Sequence, residues 1–88
     1  MNATEETKTE SNREKFKRLY IESLKEAVVK YPEQYYWPAS DAEKVAARML
    51  SAIENNTPWA HDSQAFKILA KKLGIKPTKT ALLAAWNA

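Results

Sequence analysis

Apolar residues recur at helical spacing in three segments of this 88-residue chain, and no segment alternates apolar and polar residues as a strand would. A fourth segment, residues 81–86, is almost wholly apolar (Ala-Leu-Leu-Ala-Ala-Trp). The pattern predicts an all-α fold: a small bundle of three to four helices, forming a single domain over residues 11–88. Residues 1–10 have no apolar anchors, and we expect them to be a disordered leader.

Cap residues and a proline mark the predicted helix ends. Ser11 with Glu14, and Ser40 with Glu43, match the capping box, in which two side chains satisfy free backbone N–H groups at a helix start. Pro32 ends the first helix, because the residue before a proline avoids the α region. Two ion pairs with i,i+4 spacing are also predicted in the first helix, Glu14–Arg18 and Glu26–Lys30.

Charge is distributed unevenly along the chain. Residues 63–88 contain five lysines and no Asp or Glu, whereas the residues before them include nine basic and eleven acidic side chains. The formal net charge of +3 is therefore concentrated in the last third of the sequence. Clustered positive charge attracts polyanions, so this segment is the predicted contact with nucleic acid.

The same segment has the outline of a DNA-binding helix-turn-helix, in which two short helices flank a turn. Gly74 is the only glycine of the chain, and Ala70 and Ile75 fit the positions around it. Thr80, however, stands where a branched apolar residue is usual. Reading bases requires hydrogen-bonding side chains, and the positions expected to face the groove are mostly apolar: Thr78, Ala81, Leu82 and Ala85. The alternative is a plain helical corner.

The predicted contacts with double-stranded DNA lie on the third helix and at the start of the fourth. Lys76 and Lys79 flank the start of the fourth helix, where the helix dipole disfavours positive charge. A phosphate bound to the free backbone N–H groups there would explain them, and simple solvated lysines are the alternative. The predicted nucleic-acid-binding residues are Lys67, Lys71, Lys76, Thr78, Lys79 and Thr80.

A second hypothesis is contact with a protein. The fourth helix is apolar on nearly every side, and a stiff aromatic connector joins the first two helices. Apolar surface that one small core cannot cover becomes an interface. The predicted interface residues are Leu82, Leu83, Trp86, Tyr35 and Trp37, with a host protein or a second copy of the chain as partner. Packing of the connector over the core is the alternative reading of its aromatic residues.

The sequence offers little for catalysis. It has no Cys, and its single His lies in His61-Asp62-Ser63, where neighbouring side chains point in different directions and cannot form a triad. One glycine is too few for a phosphate-binding loop. We therefore predict a protein that is not an enzyme and needs no cofactor or metal. We also expect no membrane span and a cytoplasmic location.

Two stretches resemble a pattern found in small bacteriophage-encoded proteins. The stretches are Trp37-Pro-Ala-Ser-Asp41 with Val45-Ala-Ala-Arg-Met49, and Ala65-Phe66 with Leu73-Gly-Ile-Lys76 and Thr78. The resemblance covers about residues 31–86 and carries over no site residues. It implies a phage or prophage accessory protein acting inside a bacterial host cell. Such proteins commonly regulate transcription or bind and inhibit a host protein, including defence complexes.

Overall fold

The computed structural model describes residues 10–88, which form four α-helices and no strand over that range. The helices are α1 (Asn12–Lys30), α2 (Ala42–Glu54), α3 (Gln64–Leu73) and α4 (Lys79–Trp86), and a 3-10 turn (Ala39–Asp41) directly precedes α2. The predicted all-α bundle is confirmed. The predicted disordered leader lies outside the described residues, apart from Glu10.

The boundaries of α1 agree with the sequence prediction. The Ser11 Oγ accepts a 3.1 Å hydrogen bond from the Glu14 N–H, and the Glu14 carboxylate accepts one of 2.9 Å from the Ser11 N–H. This is the predicted capping box, and it satisfies two backbone donors that the helix leaves free. The helix ends at Lys30, with Tyr31 as its C-cap immediately before Pro32.

The start of α2 differs from the prediction. Ser40 lies inside the 3-10 turn, and Asp41, which makes no side-chain cap, is the N-cap residue. The predicted capping box of Ser40 with Glu43 is therefore wrong. Backbone bonds of the tight turn take its place, because the Asp41 N–H donates to the Pro38 carbonyl at 2.9 Å and the Ala42 N–H to the Ala39 carbonyl.

Both α2 and α3 end in a left-handed residue. Asn56 has φ 57° after α2, and Gly74 has φ 71° after α3. In each case the next N–H reaches back to close the helix: Thr57 donates to the Ala52 carbonyl at 2.9 Å, and Ile75 to the Ala70 carbonyl at 3.0 Å. These are Schellman motifs, and the glycine is at the position that the sequence predicts.

The ion pairs of α1 are not the predicted ones. Arg18 pairs with Glu10 at 3.0 Å and with Glu22 at 3.6 Å. The predicted Glu14–Arg18 pair is wrong, because the Glu14 carboxylate is engaged in the helix cap. The Glu26–Lys30 pair is also wrong, since Glu26 instead pairs with Lys72 of α3. The hydrogen bond from Arg18 lowers the pKa of the Glu10 carboxyl below its ordinary value.

Helix α1 is the centre of the bundle, and α2, α3 and α4 each pack against it. The Phe16 ring meets the Trp86 ring edge-on at 5.3 Å, and the Tyr20 ring stacks on Phe66 at 4.4 Å between centroids. The buried apolar side chains come from all four helices: Phe16, Tyr20, Leu24, Ala27, Ala42, Ala46, Leu50, Ile53, Ala65, Phe66, Leu69, Ala70, Leu82 and Trp86.

The two connecting segments also pack on this core. Trp59, between α2 and α3, lies edge-on to Phe66 at 5.0 Å and packs against the core cluster. In the aromatic connector, the Tyr35 hydroxyl accepts a 3.1 Å hydrogen bond from the Ala65 N–H, and Trp37 packs edge-on against Tyr35 at 5.8 Å. Within residues 10–88 no helix has the length and apolar character needed to cross a bilayer.

Candidate nucleic-acid interface

Helix α3 turns two of its lysines away from the core. Lys67 and Lys71 lie one helical turn apart and are exposed, while Phe66 and Leu69 are buried against α1. Among the described residues, no carboxylate lies within ion-pair distance of either ammonium group. Lys72 differs, because its ammonium group pairs with Glu26. Two positive charges of α3 thus have no counter-charge within ion-pair distance among residues 10–88.

The start of α4 is open to solvent. Lys76, Thr78, Lys79 and Thr80 are all exposed. Thr78 is the N-cap residue, and its Oγ1 accepts a 3.1 Å hydrogen bond from the Ala81 N–H. The N–H groups of Lys79 and Thr80 belong to the first turn, where an α-helix supplies no acceptor. Free donors and two lysines therefore meet at one helix end.

Helix α4 does not present the recognition face that a helix-turn-helix would need. Leu82 is completely buried, and Ala81 and Ala85 are half-buried, so three of the four positions expected to face the groove are wholly or partly covered by the core. Only the fourth, Thr78, is exposed. The physical reason is that α1 needs the apolar side of α4 to cover Phe16. The connection between α3 and α4 is also five residues long (74–78) rather than three or four.

The predicted protein interface is only partly on the surface. Leu82 is fully buried and Trp86 is 6% exposed, so neither side chain is accessible to a partner in this fold. They lie in the core because a chain of this size needs both to enclose its central helix. Leu83, Tyr35 and Trp37 are half-buried.

The tertiary structure places two of these lysines, Lys71 and Lys79, at different clefts. Lys71 lines a cleft of about 310 Å³ between α1 and α3, together with Lys30 and the Glu26–Lys72 ion pair. Lys79 lines a second cleft of about 290 Å³, together with Trp59 and other residues of the α2–α3 connection. Sequence reasoning missed Lys30 and Trp59 as neighbours of these lysines. No local pattern signals them, because each lies on a different segment of the chain.

The opposite side of α1 has a different charge pattern. The cleft between α1 and α2 is lined by acids and bases in equal number: Glu14, Glu22, Glu43, Lys17, Arg18 and Lys25. Opposite charges there offset one another, and the field at a distance is weak. By contrast, Lys67, Lys71, Lys76 and Lys79 on α3 and around the start of α4 are exposed and have no carboxylate within ion-pair distance among residues 10–88.

Neither family models, nor curated proteins, nor solved structures match this chain. Within the described part of the chain, no three His, Asp or Glu side chains converge as a metal site requires. The chemistry that the site offers is hydrogen-bond donation and positive charge, which suit a phosphate oxygen.

Proposed function

We propose that this protein is a non-enzymatic DNA-binding protein that holds the phosphate backbone of a duplex with the lysines of α3 and of the start of α4. The observation that carries the proposal is that Lys67, Lys71, Lys76 and Lys79 are exposed and have no carboxylate partner among residues 10–88. Phosphate contacts of this kind supply most of non-specific DNA binding.

The two clefts are compatible with one ligand. Duplex DNA carries a negative charge about every 1.7 Å along its axis, so separate groups of lysines meet separate phosphates of the same duplex. At the start of α4, the N–H groups of Lys79 and Thr80 add donors whose dipole favours an anion. The positive charges of Lys76 and Lys79 are unfavourable near a helix start because of the helix dipole. A phosphate bound between them would make these charges favourable.

Binding of this kind has little dependence on base sequence. The side of α4 that would read bases is largely occupied by the core, and Ala84 is the exposed residue of α4 after its first turn. Asn87, directly after the helix, is also exposed, but its amide oxygen accepts a hydrogen bond from Arg13. The alanine side chain cannot hydrogen-bond to a base edge, and a single amide side chain discriminates little between base sequences. We therefore propose binding through the backbone, with a regulatory or architectural role. The phage or prophage origin implied by the resemblance stays a prediction.

The test is a fluorescence-anisotropy titration of a labelled duplex at about 50 mM and about 200 mM salt. The parent protein should bind with an affinity that falls steeply with salt. Lys67→Ala/Lys71→Ala and Lys76→Ala/Lys79→Ala should each weaken binding to unrelated sequences by similar factors. Each lost phosphate contact should lower the slope of log K against log salt by about 1.

The matched control removes two lysines from another part of the surface. Lys25→Ala/Lys44→Ala changes the net charge by the same amount, and Lys25 lies in the cleft of mixed charge between α1 and α2. This variant should bind as the parent does. If the parent does not bind duplex DNA, the proposed function is wrong. If all three double variants lose affinity equally, the site is not on α3 and α4.

A second candidate function rests on one exposed aromatic residue. Tyr36, in the connector between α1 and α2, is 91% exposed, and the neighbouring Trp37 is half-buried. Tyr and Trp are enriched at protein interfaces, so this segment is the better site for a host protein than α4. Recovery of one stoichiometric protein after nuclease treatment, lost in Tyr36→Ser and kept in Val29→Ser, would favour this function.

A further inference from the structure

The cleft beside Lys79 has a composition that phosphate binding does not require. It is about 290 Å³ in volume and lies between the α2–α3 connection and α4. Trp59 and His61 line it, with their rings edge-on at 5.6 Å, and Leu83 adds an apolar wall. Asn56 and Thr57 supply polar groups. Aromatic, apolar and amide groups thus surround a space with an ammonium group at its side.

The walls of the cleft are held in place by the fold. The Trp59 indole packs inward against Phe66, which stacks on Tyr20 of α1. The left-handed Asn56 ends α2, and the Thr57 N–H and Oγ1 both donate to the Ala52 carbonyl, at 2.9 Å and 3.2 Å. A cleft built from a helix end, a core-anchored ring and the first turn of α4 is available before any ligand arrives.

These groups match the chemistry of a nucleotide. A nucleobase has two aromatic faces and a hydrogen-bonding edge, and proteins that bind single strands stack bases on aromatic side chains next to cations that hold the phosphates. Here the Trp59 and His61 rings line the cleft at 76° to each other, so that a base can stack on one of them. Asn56 also lines the cleft, and Lys79 supplies a cation for the phosphate. A paired base within an undistorted duplex cannot enter such a cleft, since its faces are covered by its neighbours.

We propose that this cleft receives an unpaired nucleobase of the bound DNA, which stacks on Trp59 while its phosphate lies at Lys79. The inference rests on the proposed function, because the lysines of α3 and α4 hold the adjoining duplex. It adds a preference: the protein favours DNA with a single-stranded end, a gap or an extruded base over a continuous duplex.

The experiment compares three labelled DNAs with the same duplex segment: one blunt, one with a short 3′ or 5′ overhang, and one whose overhang is abasic. The abasic overhang keeps the phosphates and removes the bases, so it separates stacking from charge. The overhang with bases should bind tighter than the abasic one by about 5- to 150-fold, the range expected for one stacked base.

Two variants test whether the preference for an overhang with bases depends on this cleft. His61→Ala should reduce the preference, because the imidazole lines the cleft beside Trp59. It should leave affinity for the blunt duplex unchanged, because His61 is a half-buried residue of the connection and not part of the core. Trp37→Phe is the control, since it changes an aromatic residue packed on Tyr35, away from this cleft, and should keep the preference. In Trp37→Phe, addition of the overhang DNA should also quench the remaining tryptophan fluorescence, and addition of the abasic DNA should not.

Each outcome decides between the two proposals. Equal binding of normal and abasic overhangs, with the blunt duplex also bound, would overturn the inference and leave the proposed function standing. Binding of the overhang with bases but not of the blunt duplex would support base binding in the cleft and refute the duplex function, together with the proposed hold of the lysines on the adjoining duplex. Failure to bind any of the three DNAs would overturn both.

Discussion

The guanidinium of Arg13 lies 4.5 Å from the centroid of the Trp86 ring, and its Nε donates a 3.2 Å hydrogen bond to the Trp86 carbonyl. The remaining donors of Arg13 bond to Glu54 at the end of α2, at 3.1 Å, and to Asn87 after α4, at 3.2 Å. One side chain of the first turn of α1 thus joins the C-terminal ends of two other helices. A cation at these ends also complements their dipoles.

Replacement of Arg13 by Lys should destabilise the protein by about 1–2 kcal/mol. An ammonium group keeps the charge but loses the planar fork and its three directed bonds. Urea denaturation measures the loss, with Arg48→Lys on the exposed side of α2 as the control. If the two variants are equally stable, the Arg13 contacts do not hold α4 in place.

Leu82 and Leu83 are adjacent but should respond differently to truncation. Leu82 is fully buried, so Leu82→Ala should cost about 2–5 kcal/mol of unfolding free energy. Leu83 is half-buried, and Leu83→Ala should cost about 1 kcal/mol. Equal and small costs in thermal or urea denaturation would show that α4 is not docked on the core.

Gly74 is required for its backbone conformation rather than for space. A Cβ placed on Gly74 meets no atom within 4 Å, but φ is 71°. Gly74→Ala should therefore cost about 1–2 kcal/mol, the penalty of the left-handed region for a residue with a Cβ. Asn56→Gly at the other left-handed position should not destabilise the chain. A Gly74→Ala protein as stable as the parent would contradict this backbone conformation.

Burial of Tyr20 should make the protein less stable at high pH. Loss of water around the ring raises the pKa of the Tyr20 phenol above its ordinary value of about 10. In alkali the unfolded chain releases this proton and the folded chain retains it. The stability due to Tyr20 is therefore complete below about pH 10 and declines above it. Tyr20→Phe should show a smaller decline in urea denaturation between about pH 9 and pH 11, whereas Tyr36→Phe should behave as the parent.

Glu26 lies at the proposed DNA-binding surface, where its carboxylate pairs with Lys72. Glu26→Gln should free Lys72 for a phosphate, tighten duplex binding and raise the salt slope by about 1. Glu43→Gln gives the same charge change on α2 and should have a smaller effect. Identical affinities for these two variants, measured by anisotropy, would count against a DNA path over the α1–α3 cleft.

Local signals in the sequence were sufficient for most helix boundaries. Ser11 with Glu14, Pro32 and Gly74 each act through neighbours within a few residues, so their effects can be read from sequence distance alone. The predicted capping box at Ser40 was wrong because the same residues can form a 3-10 turn. The choice between the two depends on how the preceding connector packs. The predicted Glu26–Lys30 ion pair was wrong for a related reason, because Lys72 on another helix is the partner of Glu26.

The candidate site likewise has some features that the sequence predicts and others that depend on tertiary packing. The exposure of Lys67 and Lys71 follows from their positions opposite the apolar stripe of α3, and that of Lys76 and Lys79 from their place in the connection and at the start of α4. The sequence alone predicts all four as candidate contacts. By contrast, α4 is apolar on nearly all sides, and its sequence offers several faces to bury. The predicted contacts of the lysines with DNA stay a prediction.

What the sequence determined by itself is the helical class, most of the helix ends and the acid-free lysine segment, because these depend on the period of apolar residues, on caps and on charge. What only the tertiary structure decided is which side of α4 faces α1, which cation Glu26 holds, and that Trp59 and His61 lie beside Lys79. Those relationships join residues far apart in the chain, and packing around Phe16 and Phe66 selects them from arrangements that the local pattern equally allows.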